Sequence, residues 1–323
     1  MTVDNTLPTT STTTAADSDV KATREQILKL NSEMVVPSRS LLQSAIRYIL
    51  RDPLTIGGLI VLIVMTLMCA FAPPIIERTL GVDAYKTNVP RRYKAPGNGN
   101  NILGTDELGR DQLLRLLYGG RVSLSVAFGA SILSLTIGVI LGLVAGFYGG
   151  WIDDVINWFL TTLSSIPTIF LLILVAVIFT PSPESLVLLL GALGWIQTCR
   201  LVRAEVLSLK EREFIVAARS IGAPTFNMLV THFLPNLVSL IVVTLTIGAG
   251  TWILVESGLS YLGLGIRAPV PSWGNMLTSA RSYFTTGPHL VIWPGILIVI
   301  TVLCFYVVGD GLRDAFDPRT RKR

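Results

Sequence analysis

Apolar residues fall in long uncharged runs along this chain rather than in the short alternating blocks of a water-soluble core. Five runs, Leu54 to Ala72, Val122 to Phe147, Trp158 to Thr180, Leu234 to Val255 and Leu290 to Val308, each reach the roughly 20 residues that cross a hydrocarbon core of about 30 Å. A sixth, Leu186 to Cys199, is shorter and carries Gly191 and Gly194. It reads either as a further span or as a re-entrant, partly buried helix. The pattern predicts an all-α integral membrane protein with a transmembrane domain over 54–308 and, at the full count, six transmembrane helices.

Between and beyond the runs the polar segments divide the chain. Residues 1–37 form a tail with no apolar core, Thr- and Ser-rich at its start, expected to be disordered. Over 38–53, Leu41, Leu42, Ala45, Ile46 and Ile49 interleave with Arg39, Arg47 and Arg51, which suits an interfacial amphipathic helix capped by Ser38 and redirected by Pro53. Two large connections remain, an external loop over 73–121 and a polar loop over 200–233, and the chain closes on a basic tail over 309–323.

Composition removes the soluble alternatives, with 51% apolar residues, 15% charged residues and a mean hydropathy of +0.61. Charge then orients the spans. With the N-terminus in the cytoplasm, inside segments hold 16 of the 26 Lys and Arg residues, and both termini are cytoplasmic. The loop 73–121 carries eight basic residues outside, but long loops weigh little in that rule. The inside turn Tyr148 to Asn157 holds Asp153 and Asp154 and no basic residue.

Candidate chemistry narrows the picture mostly by exclusion. Cys69, Cys199 and Cys304 sit in or at the ends of apolar runs and read as packing residues. His232 and His289 fall on opposite sides, so no His and Cys cluster at metal-ligand spacing is expected. The five long runs contain no ionisable residue, with Glu256 and Asp310 only at span ends, which argues against an ion-coupled carrier. No phosphate-cradling G-x-x-x-x-G-K-[ST] segment is present. If the chain moves a solute, the energy enters from another polypeptide.

Packing and hinge signals remain. Ala130, Ser134, Gly138, Gly142 and Gly146 recur every four residues as a small-residue ridge, suited to close approach by a helix of the same bundle or of a second subunit. Thr161, Thr162, Ser164, Ser165 and Pro167 give the third run a polar, breakable start, and Gly248, Gly250 and Thr251 loosen the fifth. Within 200–233, Phe214, Ala217, Ala218 and Ile221 form an apolar stripe at i, i+3, i+4 and i+7 on a helix entered from Glu211-Arg-Glu213. Gly222 stops that helix by taking positive φ, Pro224 forbids its continuation, and a second helix from Thr225 ends near Leu234-Pro235. The hairpin fits either a partner's groove or the lipid headgroups. Five basic residues offset by Glu205, Glu211 and Glu213 make a poor nucleic-acid face.

The loop resembles the EAA loop of ABC-importer permeases, with Ala217, Ala218, Gly222, Leu234 and Pro235 at the family's spacing. Val216 stands where that pattern has Glu, and His232 occupies its apolar position. Gly104-Thr-Asp-Glu-Leu-Gly-Arg-Asp111, with Leu116 to Leu124, is similar to the segment before the second span of C-type permeases of dipeptide and oligopeptide importers. So is Leu259 to Gly265 with Pro269 to Met276, which follows the fifth. From residues alone, Asp111 to Tyr118 would be an amphipathic helix and the Pro-rich run a rigid external turn.

The resemblance implies a permease subunit in a bacterial cytoplasmic (inner) membrane, carrying peptide along a path shared with a second permease. It implies two cytosolic ATPase subunits that bind ATP and Mg, and an extracytoplasmic solute-binding protein. No cofactor, metal or catalytic residue is expected in this chain. ATPase coupling is expected of Phe214, Ala217, Ala218, Arg219, Ile221, Gly222, Leu234 and Pro235, and contact or structure outside of Asp106, Gly109, Arg110, Asp111, Trp273 and Gly274. Nickel chelates or oligosaccharides are alternative cargoes of similar importers, and an ion-coupled secondary carrier is the alternative mechanism.

Overall fold

The computed structural model describes residues 41–97, 99–178, 182–281 and 284–316, and the regular elements among them are helices. Contacts divide the chain between Ile46 and Arg47. The expected tail 1–37, the Ser38 cap and the basic residues from Arg319 onward lie outside the described residues. Helix α1 spans Leu41–Ile49.

Helix α2 (Pro53–Leu80) starts where Pro53 supplies a helical φ and Asp52 accepts hydrogen bonds from the Leu54 and Thr55 amides, each at 3.2 Å. The helix passes through Pro73 and Pro74 and ends at Gly81, φ +63°. The expected external loop from residue 73 therefore begins as helix. Helix α3 (Gln112–Tyr148) is capped by Asp111, whose Oδ1 accepts from the Leu114 amide at 2.8 Å. Its 37 residues run about 55 Å at 1.5 Å per residue, well past a hydrocarbon core. The separate amphipathic helix expected over 111–118 is instead its first two turns, because Asp111 caps a chain that then meets no breaker.

The third apolar run is not one rod. It is α4 (Gly150–Ser164) and α5 (Thr168–Ile178), bent by 80° at their junction. Pro167 cannot donate back into the preceding turn, and the polar start supplies the break. The shorter run at 186–199, by contrast, lies inside a continuous helix, α6 (Pro183–Lys210), entered through a Ser182–Ser185 capping box. Gly191 and Gly194 in α6 are seats rather than breaks: a Cβ on either would run into Leu133 or Trp252.

Helix α7 (Glu213–Ser220) and the short α8 (Thr225–Met228) form the hairpin of the polar loop. A π turn over Leu229–Phe233 joins α8 to α9 (Leu234–Tyr261) without a break. Pro235 has no N–H for the α ladder, and the widened turn just before it absorbs that loss. Helix α10 spans Trp273–Arg281 and α11 His289–Phe316. Five of these helical segments are long and apolar enough to cross a membrane, or six with the bent pair counted as one.

The core follows from small residues on α3. A Cβ on Gly138 would stand 2.5 Å from Thr198 Cβ, one on Gly142 2.8 Å from the Cys199 carbonyl, and one on Gly146 2.7 Å from Val206 Cβ. The small-residue ridge thus faces α6 of the same chain. A second core joins α2, α3, α9, α10 and α11 around Trp273, Ile253 and Phe305.

Candidate functional site

The hairpin between α6 and α9 has two faces. Ile215 and Ala218 point inward, Ile215 only 1% exposed, and Ile215 joins Met228, Phe233, Val202, Val206 and Phe147 in one apolar cluster. Phe214, Val216, Ala217, Arg219 and Ile221 face outward, Ile221 with 85% of its surface exposed. The expected stripe of Phe214, Ala217, Ala218 and Ile221 is thereby split. Ala218 belongs to the anchoring face with Ile215, which the stripe overlooked, and the others remain uncovered. Leu234 and Pro235 are exposed at the start of α9. Phe214 leans toward His232, ring centroids 6.5 Å apart.

Helix α7 stops at a Schellman pair. The Gly222 amide donates to the Arg219 carbonyl at 3.0 Å and the Ala223 amide to the Ala218 carbonyl at 3.1 Å, with Gly222 at φ +76°. Both ends of the hairpin thus tie into the spans, one through α6 and one through α9. Along α6, Arg203 grips Asp153 of α4 with Nε to Oδ1 at 2.5 Å and Nη2 to Oδ2 at 2.6 Å. Lys210 donates to the Gly146 and Phe147 carbonyls at 3.2 and 3.0 Å, closing the end of α3. The acidic turn of the sequence therefore finds its countercharge on α6.

The two motifs expected outside meet around the start of α3. Asp106 accepts from Arg110 Nε at 2.7 Å and pairs with Arg115 Nε at 3.2 Å, while its Oδ1 takes the Leu108 and Arg110 amides. Gly109, at φ +73°, packs so close to the Asn88 carbonyl that no side chain fits. Asp111 also accepts from Asn101 Nδ2 at 2.8 Å. Burial pushes the Asp111 carboxyl above the usual range, against the pull of those hydrogen bonds. Trp273 is fully buried and donates from Nε1 to the Leu116 carbonyl at 2.9 Å, and a Cβ on Gly274 would stand 2.6 Å from Ser257 Cα.

Glu256 stands just past the apolar run, as the sequence has it, but its burial is not visible in that pattern. The run ends at Val255, but the helix continues to Tyr261 and buries Glu256 completely. Its carboxyl accepts from Ser123 Oγ at 3.0 Å and Ser260 Oγ at 2.7 Å, and Ser123 Oγ also takes the Trp273 amide at 3.1 Å. Hydroxyl partners make a buried carboxyl tolerable there, and the nearby serines were the readable signal.

A cleft of about 780 Å³ lies among α3, α4, α5, α6, α9 and α11. Ser164 and Thr168, on either side of the 80° break, both line it.

The family described as "Binding-protein-dependent transport system inner membrane component" matches residues 138–322. A second, "N-terminal TM domain of oligopeptide transport permease C", matches residues 40–96. The chain is 38% identical to a dipeptide transport system permease protein of Alkalihalophilus pseudofirmus, covering 86% of this chain and 90% of that one. It is 37% identical to an oligopeptide transport system permease protein of Bacillus subtilis, covering 88% and 92%. Its Escherichia coli K12 counterpart is 35% identical over 93% of this chain and 99% of that one. A chain of a methionine ABC transporter, solved in inward-facing conformations, matches with a TM-score of 0.52 and 20% identity over 64% of this chain and 97% of that one, a likeness of fold.

Proposed function

Because the chain belongs to the family of binding-protein-dependent transport inner-membrane components, as a permease of the oligopeptide C type, we propose that its cargo is a di- or oligopeptide. The chain crosses an inner membrane six times, the bent pair α4–α5 counting as one span, with both termini in the cytoplasm. It shares the path with a second permease, receives cargo from an extracytoplasmic binding protein, and performs no chemistry. Two cytosolic ATPase subunits bind ATP and Mg and grip the hairpin of α7 and α8.

The observation that carries this reading is the division of α7 into an anchored face and an uncovered one. Phe214 and Ala217, on a helix eight residues long, and Ile221 at its C-cap expose apolar surface. So short a helix owes its shape to Ile215, Met228 and Phe233 below it. A surface of that kind, held rigidly to two spans, suits a partner's groove and transmits displacement in both directions. Alternating access then follows from rocking of the spans as ATPases close and open.

Ala217→Glu tests the grip, because the residue is exposed on the outward face and the charge leaves the permease core untouched. We expect ATPase subunits to be lost from the complex purified in detergent, and cargo-stimulated ATP hydrolysis to fall at least tenfold. Retention of the ATPases with full stimulation would remove the hairpin from coupling and return it to the membrane surface.

A further inference from the structure

The cleft of about 780 Å³ has the size of a ligand-enclosing site. Ser131 and Ser134 of α3, Gln197 and Thr198 of α6, and Thr244 and Thr251 of α9 line it. Polar side chains in a hydrocarbon layer are costly unless they face water or a partner. Ser134 and Thr251 are satisfied by carbonyls of their own helices, those of Ser131 at 3.2 Å and Ile247 at 3.0 Å, so it is the Gln197 amide and the Thr198 and Thr244 hydroxyls whose polarity calls for water or a ligand and marks a wet passage rather than a lipid-facing groove. Ser131 Oγ is buried without a hydrogen-bond partner, a hydroxyl held at the wall.

The charge of this lining is one-sided. Arg200 of α6 and Arg313 in the last turn of α11 both contribute to it, and no Asp or Glu does among the described residues. Arg200 Nη2 donates to Ser164 Oγ at 2.7 Å, which orients the guanidinium and leaves its other N–H groups for an anion. A guanidinium matches a carboxylate in plane and in charge, while hydroxyls and an amide suit the peptide backbone.

We propose that this cleft is the chain's share of the cargo path and that Arg200 and Arg313 engage the carboxylate terminus of the passing peptide. The proposal rests on the permease reading above and assigns substrate-contacting residues within it. A free carboxylate is then a feature that the membrane path itself reads, independently of what the binding protein selects.

The test uses the assembled importer, with its partner permease, ATPases and binding protein, in vesicles. Import of trialanine and of trialanine amide is measured for the wild type and for Arg200→Gln/Arg313→Gln, and the ratio of the two cargoes is compared. The binding protein's own preference and the fraction of active complex cancel in that comparison. We expect the ratio to fall about tenfold in the double variant, the worth of a lost charge-assisted contact, and to fall less in Arg200→Lys/Arg313→Lys, which keeps the charge and loses the planar fork. N-acetyl trialanine, which lacks the ammonium, should respond as trialanine does. An unchanged ratio in the Gln variant overturns the carboxylate site, and so does an equal loss for both cargoes. Should the double variant fail to insert, Arg313→Gln alone carries the same ratio. A wild-type complex that imports neither peptide would instead refute the peptide reading itself.

Discussion

Gly222 holds φ +76° at the end of α7, and no atom stands within 4 Å of where a Cβ would be. Substitution there costs backbone strain alone, on the order of 1 kcal/mol or more for a β-branched residue and less for Asn, which tolerates the left-handed region. Gly222→Val should therefore re-aim α8 and abolish cargo-stimulated hydrolysis, while Gly222→Asn keeps most of it. ATP hydrolysis in reconstituted vesicles measures both, and equal activity in the two variants would show that the positive φ is not needed. This glycine was legible in the sequence because Gly222 and Pro224 together leave one way to stop a helix. The inward turn of Ala218 was not legible. At i, i+3, i+4 and i+7 a stripe defines a helix face but not which side of it meets the protein, and Ile215, one position outside the stripe, decides that.

Among the elements, apolar length and continuity proved to be separate properties. The run 158–180 is long enough to span but breaks by 80° after Ser164, while the run 186–199 is short and yet part of a 28-residue helix. Hydropathy counts side chains, whereas the break depends on Pro167 and on what α4 and α5 pack against. Gly191 and Gly194 left a re-entrant helix open as the alternative, yet a helix tolerates glycines where a neighbour needs the room. The α3 ridge can be tested on that basis. With Gly142 Cβ sited 2.8 Å from the Cys199 carbonyl, a backbone atom that cannot rotate away, Gly142→Leu must push α3 from α6. We expect thermal stability in detergent to drop by several degrees and complex yield to fall, as size-exclusion chromatography at rising temperature would reveal. Unaltered stability would mean that the two helices separate freely.

For the whole molecule, the six-span arrangement predicts sidedness. In a chain freed of Cys69, Cys199 and Cys304, single cysteines at exposed Lys86 and Ala268 should react with an impermeant thiol reagent on intact cells, and one at exposed Ser208 should not. External labelling at Ser208 would overturn the arrangement. Membrane architecture and family were legible because long apolar runs and three spaced motifs survive in sequence, whereas the cleft's polar lining is drawn from separate helices and becomes visible only when they pack. The energy source tests the account most directly. Uptake of labelled trialanine is measured in vesicles holding the full importer, with ATP or with an imposed proton or sodium gradient. Accumulation should require ATP and the ATPase subunits and ignore the gradients. Accumulation on a gradient without ATPases would contradict it and make the chain an ion-coupled carrier.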